Sequence, residues 1–538
     1  MVMRERLSTD VLVVGFGAAG ACAALEAKEA GADVLAVDRF NGGGATALSG
    51  GIIYAGGGTS VQRQAGVDDT ADAMLSYLRR EVGDAVRPET LERFVASSPS
   101  MIDWLADHGV PFDATVCPYK TSYPNNRYYL YYSGSECAGE FRTLTPPVQR
   151  GHRVKGKGAS GKKLYEPLAQ AAARAGVRLQ PHIRVTQLIV ESGRVCGAEA
   201  VTLADAPKHI RRRFGQMAAV AAKPGIYYPP LRSRMERRLQ RLEEKFGRHI
   251  RIMATRGVIV CAGGYIANAD MIATHAPQFR GGLALGTSGD DGSGIAMAVG
   301  AGAVADKLDN VSAWRFITPP SAFLGALLVN QRGQRMIDES RYGAAIGRVM
   351  VRDNNGRAWL LADAALMREA YRQLPRQSLW FQFMQNLALT QTNRTRGKTL
   401  DDVARRAGID PDGLAATVSA HNDAVDHGQP DPMGKPVEFT RRVGDGPYTL
   451  LDVSVRPSAI NPCPMFTLGG VIVDEQTGVV TAADGRPIPG LYAAGRTAIG
   501  ICANSYVSGL SLADCVFAGR RAGAHAAASS GREQYRQG

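Results

Sequence analysis

Three hydroxyl-bearing residues stand out for the chemistry they could perform. Tyr506 and Ser508 lie in NSYVSGLSLADCVFAGRRAG (504–523), and Tyr342 lies in RGQRMIDESRYG (332–343). A phenol, with an ordinary pKa near 10, becomes a useful base only where a cation or hydrogen-bond donors stabilise its phenolate. A serine two residues away can relay or orient the proton. Such groups suit removal of a proton beside a carbonyl, which also needs donors for the oxygen where charge develops. On their own, Tyr506 and Ser508 read equally well as a packed aromatic and a helix cap. Tyr342 reads equally well as a core or surface tyrosine.

Something must hold these groups in place. After Gly509, the residues Leu510, Leu512, Ala513, Val516 and Phe517 recur at helical spacing until Arg520, Arg521 and Gly523 mark an end. The expectation is a short irregular site segment anchored by a buried helix. The first backbone N–H groups of that helix, at Gly509, Leu510, Ser511 and Leu512, form an electropositive end suited to an anionic ligand.

The other end of the chain supplies a ligand. DVLVVGFGAAGACAALEAKEAGADVLAVDRF (10–40) reads as strand, glycine turn, helix and second strand. Gly15, Gly17 and Gly20 form G-x-G-x-x-G directly after the apolar run, and with Ala18 and Ala19 they predict a dinucleotide pyrophosphate on a helix N-terminus. Asp38, followed by Arg39, ends the second strand where an acid can accept from a ribose diol. A long glycine and hydroxyl loop, NGGGATALSGG (41–51), comes next, with Gly44, Ala45, Thr46, Ser49, Gly50 and Gly51 as candidate contacts. Such a loop is needless for a nicotinamide cofactor. Two later strands also end in small residues: MATRGVIVCAGGYI (253–266) at Ala262, Gly263 and Gly264, and GLYAAGRTAIG (490–500) at Gly495 and Arg496. A third glycine turn, GTSGDDGSG, carries Asp291. The chain thus returns repeatedly to one elongated ligand, and FAD fits better than NAD.

These motifs resemble the fumarate reductase/succinate dehydrogenase flavoprotein superfamily, in which the A-x-x-S-G-G loop and the G-L-Y-A-A-G return both contact FAD. Within it, R-G-x-R-M-x-x-E-x-x-Y (332–342) and Tyr-x-Ser-Gly-Leu-Ser-Leu (506–512) are most similar to the flavin-dependent 3-ketosteroid dehydrogenases of the Δ4-(5α) type. That resemblance implies that Tyr506, Ser508 and Tyr342 are catalytic and that the substrate is a flat apolar 3-ketosteroid. No histidine precedes Ser49-Gly50-Gly51, so the flavin is expected to be noncovalent. Arg496 departs from the pattern, standing where many relatives carry Glu. The tyrosines at 119, 123, 128, 129, 131 and 132 read either as a hairpin or as the lining of a flat pocket. The 464–470 stretch reads either as a pass beside the flavin ring or as a plain turn.

The expected fold is α/β: a Rossmann-like, glutathione-reductase-like FAD-binding domain (1–307 and 441–538) with an inserted α+β catalytic or cap domain (308–440). The formal net charge of +13 is concentrated in 207–251, which holds 13 Lys/Arg against 3 Glu. This stretch reads as a solvated helical insertion, an oligomer contact, or a peripheral attachment to an anionic membrane. Near such a membrane each basic residue gains about 1 kcal/mol. No recognition module accompanies the charge, so nucleic acid is not an expected partner. Eight cysteines without C-x-x-C, nine histidines without ligand-like spacing, no signal-type stretch and no long apolar run point to a cytoplasmic protein without a metal site.

The leading expectation is an enzyme that oxidises a 3-ketosteroid, or a similar cyclic ketone, to its α,β-unsaturated form, passing electrons to an unidentified acceptor. A fumarate- or enoate-type reductase is the alternative on the same fold. A flavoprotein subunit that delivers electrons to a partner is the alternative of another class.

Overall fold

Val11, Leu12, Val13 and Leu35 have no solvent exposure because their strands have neighbours on both edges and covered faces. Strand Glu5–Val14 pairs in parallel with Val34–Asp38 on one side and with Arg248–Val260 on the other. Arg178–Pro181 and Pro487–Ala493 extend this parallel core outward, and Val479–Thr481 closes one edge as an antiparallel hairpin partner. Parallel sheets are buried on both faces, which accounts for continuous runs such as VLVV and VLAV. The computed structural model describes residues 5–455 and 461–529.

The helix after the first glycine turn, Ala18–Glu29, lies against the last helix, Leu510–Ala528. Their backbones approach closely. A Cβ at Gly519 would lie 2.5 Å from the Ala19 carbonyl oxygen, and one at Gly523 would lie 2.3 Å from that of Ala23. Only glycine fits at either crossing. The C-terminal helix is thereby fastened to the nucleotide turn at the opposite end of the sequence.

A second unit is built on an antiparallel sheet ordered Leu327–Val329, Trp359–Asp363, Tyr448–Asp452, Arg394–Gly397. One face packs Leu328, Leu360, Leu451 and Met350; the other packs Leu327, Leu361, Leu450 and Val403. Strand Tyr448–Asp452 lies inside this sheet, so the unit runs past the boundary expected at residue 440. A short apolar run such as TLLD suits either sheet, and only pairing decides between them. The two units are joined where Leu283–Ala284 and Val311–Ala313 both pair with Pro464–Thr467.

Within 207–251, residues up to 247 fold into a helical hairpin, Lys208–Ala222 and Pro229–Phe246, with a core of Phe214, Met217, Met235 and Leu239, and 248–251 begin the strand Arg248–Val260. The hairpin's inner side packs on Phe40, whose ring stacks on Phe214 at 6.1 Å. Its outer side exposes Arg212, Arg213, Arg234, Arg237, Arg238 and Arg241. Among the described residues, no helix is long and apolar enough to cross a membrane.

Candidate active site

The candidate catalytic and cofactor-binding residues line one cavity of about 1540 Å³, apart from Gly20, Gly264 and Leu510. Ordinary small-molecule sites occupy roughly 300–1,000 Å³, so this one has room for a dinucleotide and a second molecule. Each of the three exceptions has a packing role. A Cβ at Gly20 would lie 2.0 Å from the Gly15 carbonyl oxygen, and one at Gly264 would lie 2.2 Å from Thr467 Oγ1. Leu510 is fully buried and turns into the core, whereas Ser511 and Leu512 face the cavity.

At one end sits the first glycine turn. Gly15 has φ +91°, and a Cβ there would lie 2.5 Å from the Cys261 carbonyl oxygen, so the turn closes onto the strand end only with glycine. Gly17 caps the helix without a side-chain bond; instead Thr46 Oγ1, from the glycine-rich loop, accepts from Ala18 N at 3.0 Å. Asp38 accepts from Phe16 N at 2.9 Å and Phe40 N at 2.8 Å. Burial raises its pKa, and these N–H groups partly offset the rise. Arg39 is committed elsewhere. Its Nε and Nη2 bind both oxygens of Glu243 at 2.8 and 3.0 Å, and Nη1 lies 3.7 Å from Asp291 Oδ2.

Arg496 lines the middle of the cavity. Its Nη2 donates to the buried Asp290 at 2.6 Å, its guanidinium lies 5.5 Å from the Phe466 ring centre, and Nη1 has no partner within the protein. Pro464 and Phe466 also face the cavity, from a strand and not from a plain turn.

The three hydroxyl residues gather at the other end. Tyr506 is only 8% exposed; its ring stacks on Trp314 at 5.2 Å and 10°, meets Phe466 edge-on at 4.8 Å, and lies 6.1 Å from Tyr342. Its hydroxyl accepts from Gly509 N at 3.3 Å. Ser508 is locked by its backbone: its N–H donates to the Ser133 carbonyl, and Ser133 Oγ donates to the Ser508 carbonyl, each at 3.1 Å. Gly509, with φ +93°, then starts the final helix without a side-chain cap, so Ser508 is not a capping serine. Tyr342, 3% exposed, precedes helix Gly343–Asp353, and its N–H donates to Ser135 Oγ at 3.1 Å.

Burial raises both phenols above their ordinary pKa. For Tyr506 the rise is opposed by the Gly509 N–H, the Arg496 charge and Ser508, while Cys502 adds to it. For Tyr342 only the Ser508 hydroxyl opposes it, while Tyr506, Tyr131 and Glu136 add to it. The two phenols are therefore unequal. Tyr506 has the better-supported phenolate.

The tyrosine-rich segment divides. Tyr119 and Tyr128 pack on each other, while Tyr123 and Tyr129 flank the fully buried Arg153 at 4.8 and 5.1 Å. Tyr123 also faces the cavity. Tyr131, one of the tyrosines read as either a hairpin or pocket lining, does not line the cavity but donates to Ser508 Oγ at 3.3 Å. Trp314 is a residue the sequence reading missed. Both come from segments whose approach to the C-terminal turn is set by long-range packing.

A sequence model described as the FAD binding domain matches residues 10–509. The chain belongs to the FAD-binding family. It is 36% identical over 494 residues to the 3-oxo-5-alpha-steroid 4-dehydrogenase of Comamonas testosteroni, covering 91% of this chain and 92% of that protein. It is 26% identical to the 3-oxosteroid 1-dehydrogenase of Mycobacterium tuberculosis (strain ATCC 25618 / H37Rv), covering 92% and 94%. Among solved structures, the 3-ketosteroid-Δ4-(5α)-dehydrogenase from Rhodococcus jostii RHA1, in complex with 4-androstene-3,17-dione, matches with a TM-score of 0.80. That match has 30% identity over 98% of each chain. The resemblance read from the tail therefore extends over almost the whole chain.

FAD is the cofactor of this family, and the residues present fit it. A glycine turn in which neither Gly15 nor Gly20 leaves room for a Cβ leads into a helix N-terminus, the Asp38 carboxylate lines the same end of the cavity, and Arg496 carries an unused donor in its middle.

Proposed function

We propose that the protein oxidises a 3-ketosteroid to its α,β-unsaturated ketone, acting at C4–C5 of a 5α-reduced substrate. The observation that carries this reading is the convergence of Tyr506, Ser508 and Tyr342 at one end of a cavity whose other end is a dinucleotide cradle. The wall beside them is apolar and broad, formed by Trp314, Phe316, Pro319, Phe466 and Leu389. A flat ketone suits it better than the two carboxylates of a fumarate-type substrate. The steroid dehydrogenases among the relatives above support the same substrate class.

In this reading Tyr506 accepts the proton from C4, because a backbone N–H and a nearby cation stabilise its phenolate. Ser508, held by Ser133 and taking a hydrogen bond from Tyr131, relays or orients that proton. Tyr342 has the less stabilised phenolate, stays protonated, and donates to the ketone oxygen as enolate character develops. Bound FAD supplies the acceptor for the hydride leaving C5. Loss of one proton and one hydride leaves the C4–C5 double bond. The reading places the enzyme in the cytoplasm and assigns the exposed basic face of the 207–251 hairpin to an anionic membrane surface, which sedimentation with anionic vesicles tests.

The decisive test is anaerobic mixing of the yellow holoprotein with a 5α-reduced 3-ketosteroid and, separately, with a Δ4-3-ketosteroid, following flavin bleaching and product mass. Bleaching by the 5α-reduced ketone with formation of the Δ4 product is expected. Bleaching by the Δ4-ketone alone would move the reaction to another bond, and bleaching by neither would overturn the reading.

A further inference from the structure

The basic hairpin is tied to the nucleotide end of the cavity at three points. Glu243, buried in helix Pro229–Phe246, holds Arg39 through two hydrogen bonds and also reaches Arg184 Nε at 3.1 Å. Phe214, from helix Lys208–Ala222, stacks on Phe40 and meets His182 edge-on at 5.5 Å. Arg232, 6% exposed, donates to the Thr287 carbonyl at 2.5 Å and approaches that of Ala284 at 3.4 Å. Arg39, Arg184 and Thr287 all line the cavity beside Asp38, and Lys223 and Tyr227, from the turn between the two helices, reach its rim.

We propose that the hairpin is a clamp on the AMP half of bound FAD, with Glu243 as the positioning residue. Arg39 and Arg184 project from separate strand ends, and two guanidiniums side by side repel each other unless a carboxylate lies between them. Glu243 supplies that carboxylate from a side chain 3% exposed, against 22% for Arg39 and 38% for Arg184. Its charge therefore fixes the wall that faces the adenosine. Lys223 and Tyr227, the latter 45% exposed, close the rim over it. The insertion thus sets how tightly the full dinucleotide is kept. Its surface charge is a separate property of the outer face.

The proposal rests on FAD occupying this cavity, and the experiment separates the two ideas by comparing FAD with FMN, which lacks the AMP half. Apoprotein of the wild type, of Glu243→Gln and of the surface double variant Lys223→Ala/Tyr227→Ala is titrated with each flavin. The dissociation constants and the rates of flavin release are then measured. For Glu243→Gln the preference for FAD over FMN is expected to fall about tenfold or more, as for loss of a charge-assisted contact, with FMN affinity unchanged. The double variant should show the same direction with a faster FAD release. An unchanged FAD-to-FMN ratio in both variants, or an equal loss for both flavins, would overturn the clamp. Failure of the wild type to bind either flavin would instead refute FAD occupancy.

Discussion

Tyr506 lies flat on Trp314, with ring centres 5.2 Å apart and planes within 10° of parallel. The two rings come from different units, Tyr506 from the approach to the last helix and Trp314 from the start of the cap segment. Stacking fixes the phenol plane, and the Gly509 N–H fixes its oxygen. In the reaction proposed above, a phenol held at both ring and hydroxyl would lose little entropy on reaching a reactive geometry.

Tyr506→Phe keeps the stacked ring and removes only the hydroxyl. Ketosteroid oxidation is expected to fall on the order of 10²- to 10⁴-fold, the range for loss of a positioned acid–base group. The protein should remain yellow, with its melting temperature close to that of the wild type. Steady-state rates and the flavin absorbance spectrum check this together, and a variant that turned over normally would exclude Tyr506 as the base.

Arg496 should set the pH at which that base works. Burial raises the Tyr506 pKa and the Arg496 charge lowers it, so kcat/KM is expected to climb on the alkaline side without levelling off below pH 10, the ordinary phenol value. Arg496→Gln removes the cation, leaves the phenolate less stabilised, and should move the climb to higher pH. Profiles of the two proteins at saturating FAD reveal the displacement; overlapping curves would contradict the coupling.

Tyr131→Phe deletes the donor to Ser508 while leaving a fully buried ring. If Ser508 relays the proton, kcat should drop on the order of tenfold with KM nearly unchanged, and Ser508→Ala should abolish any further effect of the Tyr131 change. A double-mutant cycle on kcat measures this. Additive losses would mean the two hydroxyls act independently.

The cap carries a buried ion network away from the cavity. Arg335 binds Glu339 at 2.7 Å and Asp431 at 2.7 Å, while Lys435 reaches Glu339 at 2.8 Å. Burial alone would raise both carboxyls. Hydrogen bonds from His421 and Arg335 hold Asp431 below its usual range, and Lys435 and Arg335 do the same for Glu339. Because these folded-state values are depressed, the stabilisation is present above the unfolded carboxyl pKa of about 4 and is lost as pH falls below it. Arg335→Ala leaves Glu339 with Lys435 alone and Asp431 with His421 alone, removes the cation shared by the two buried carboxylates, and should cost about 3–5 kcal/mol at neutral pH. Denaturant melts across pH would show it.

What the sequence makes legible is what local geometry dictates. Gly15, Gly17 and Asp38 are readable because turn, helix start and strand end lie within one βαβ unit. Tyr506 and Ser508 are readable because the helix after Gly509 has a clear period. Leu510 is not, since the facing of the first helical residue depends on where the helix begins to turn, and here it points inward while Ser511 and Leu512 point out. Trp314 and Tyr131 meet the site through contacts far apart in the chain, which no local pattern encodes. The Arg39–Glu243 tie has the same cause. It also explains why the 207–251 stretch, judged by its charge, reads as surface alone, when its inner face packs on Arg39 and Phe40 beside the cavity.

The glycine crossings between helices Ala18–Glu29 and Leu510–Ala528 have a consequence for biosynthesis. The cradle is translated well before its supporting helix, so a ribosome must pass residue 528 before the nucleotide turn acquires its backing. Capture of the yellow coenzyme is then a late event, and polypeptides stalled ahead of Gly519 should emerge colourless.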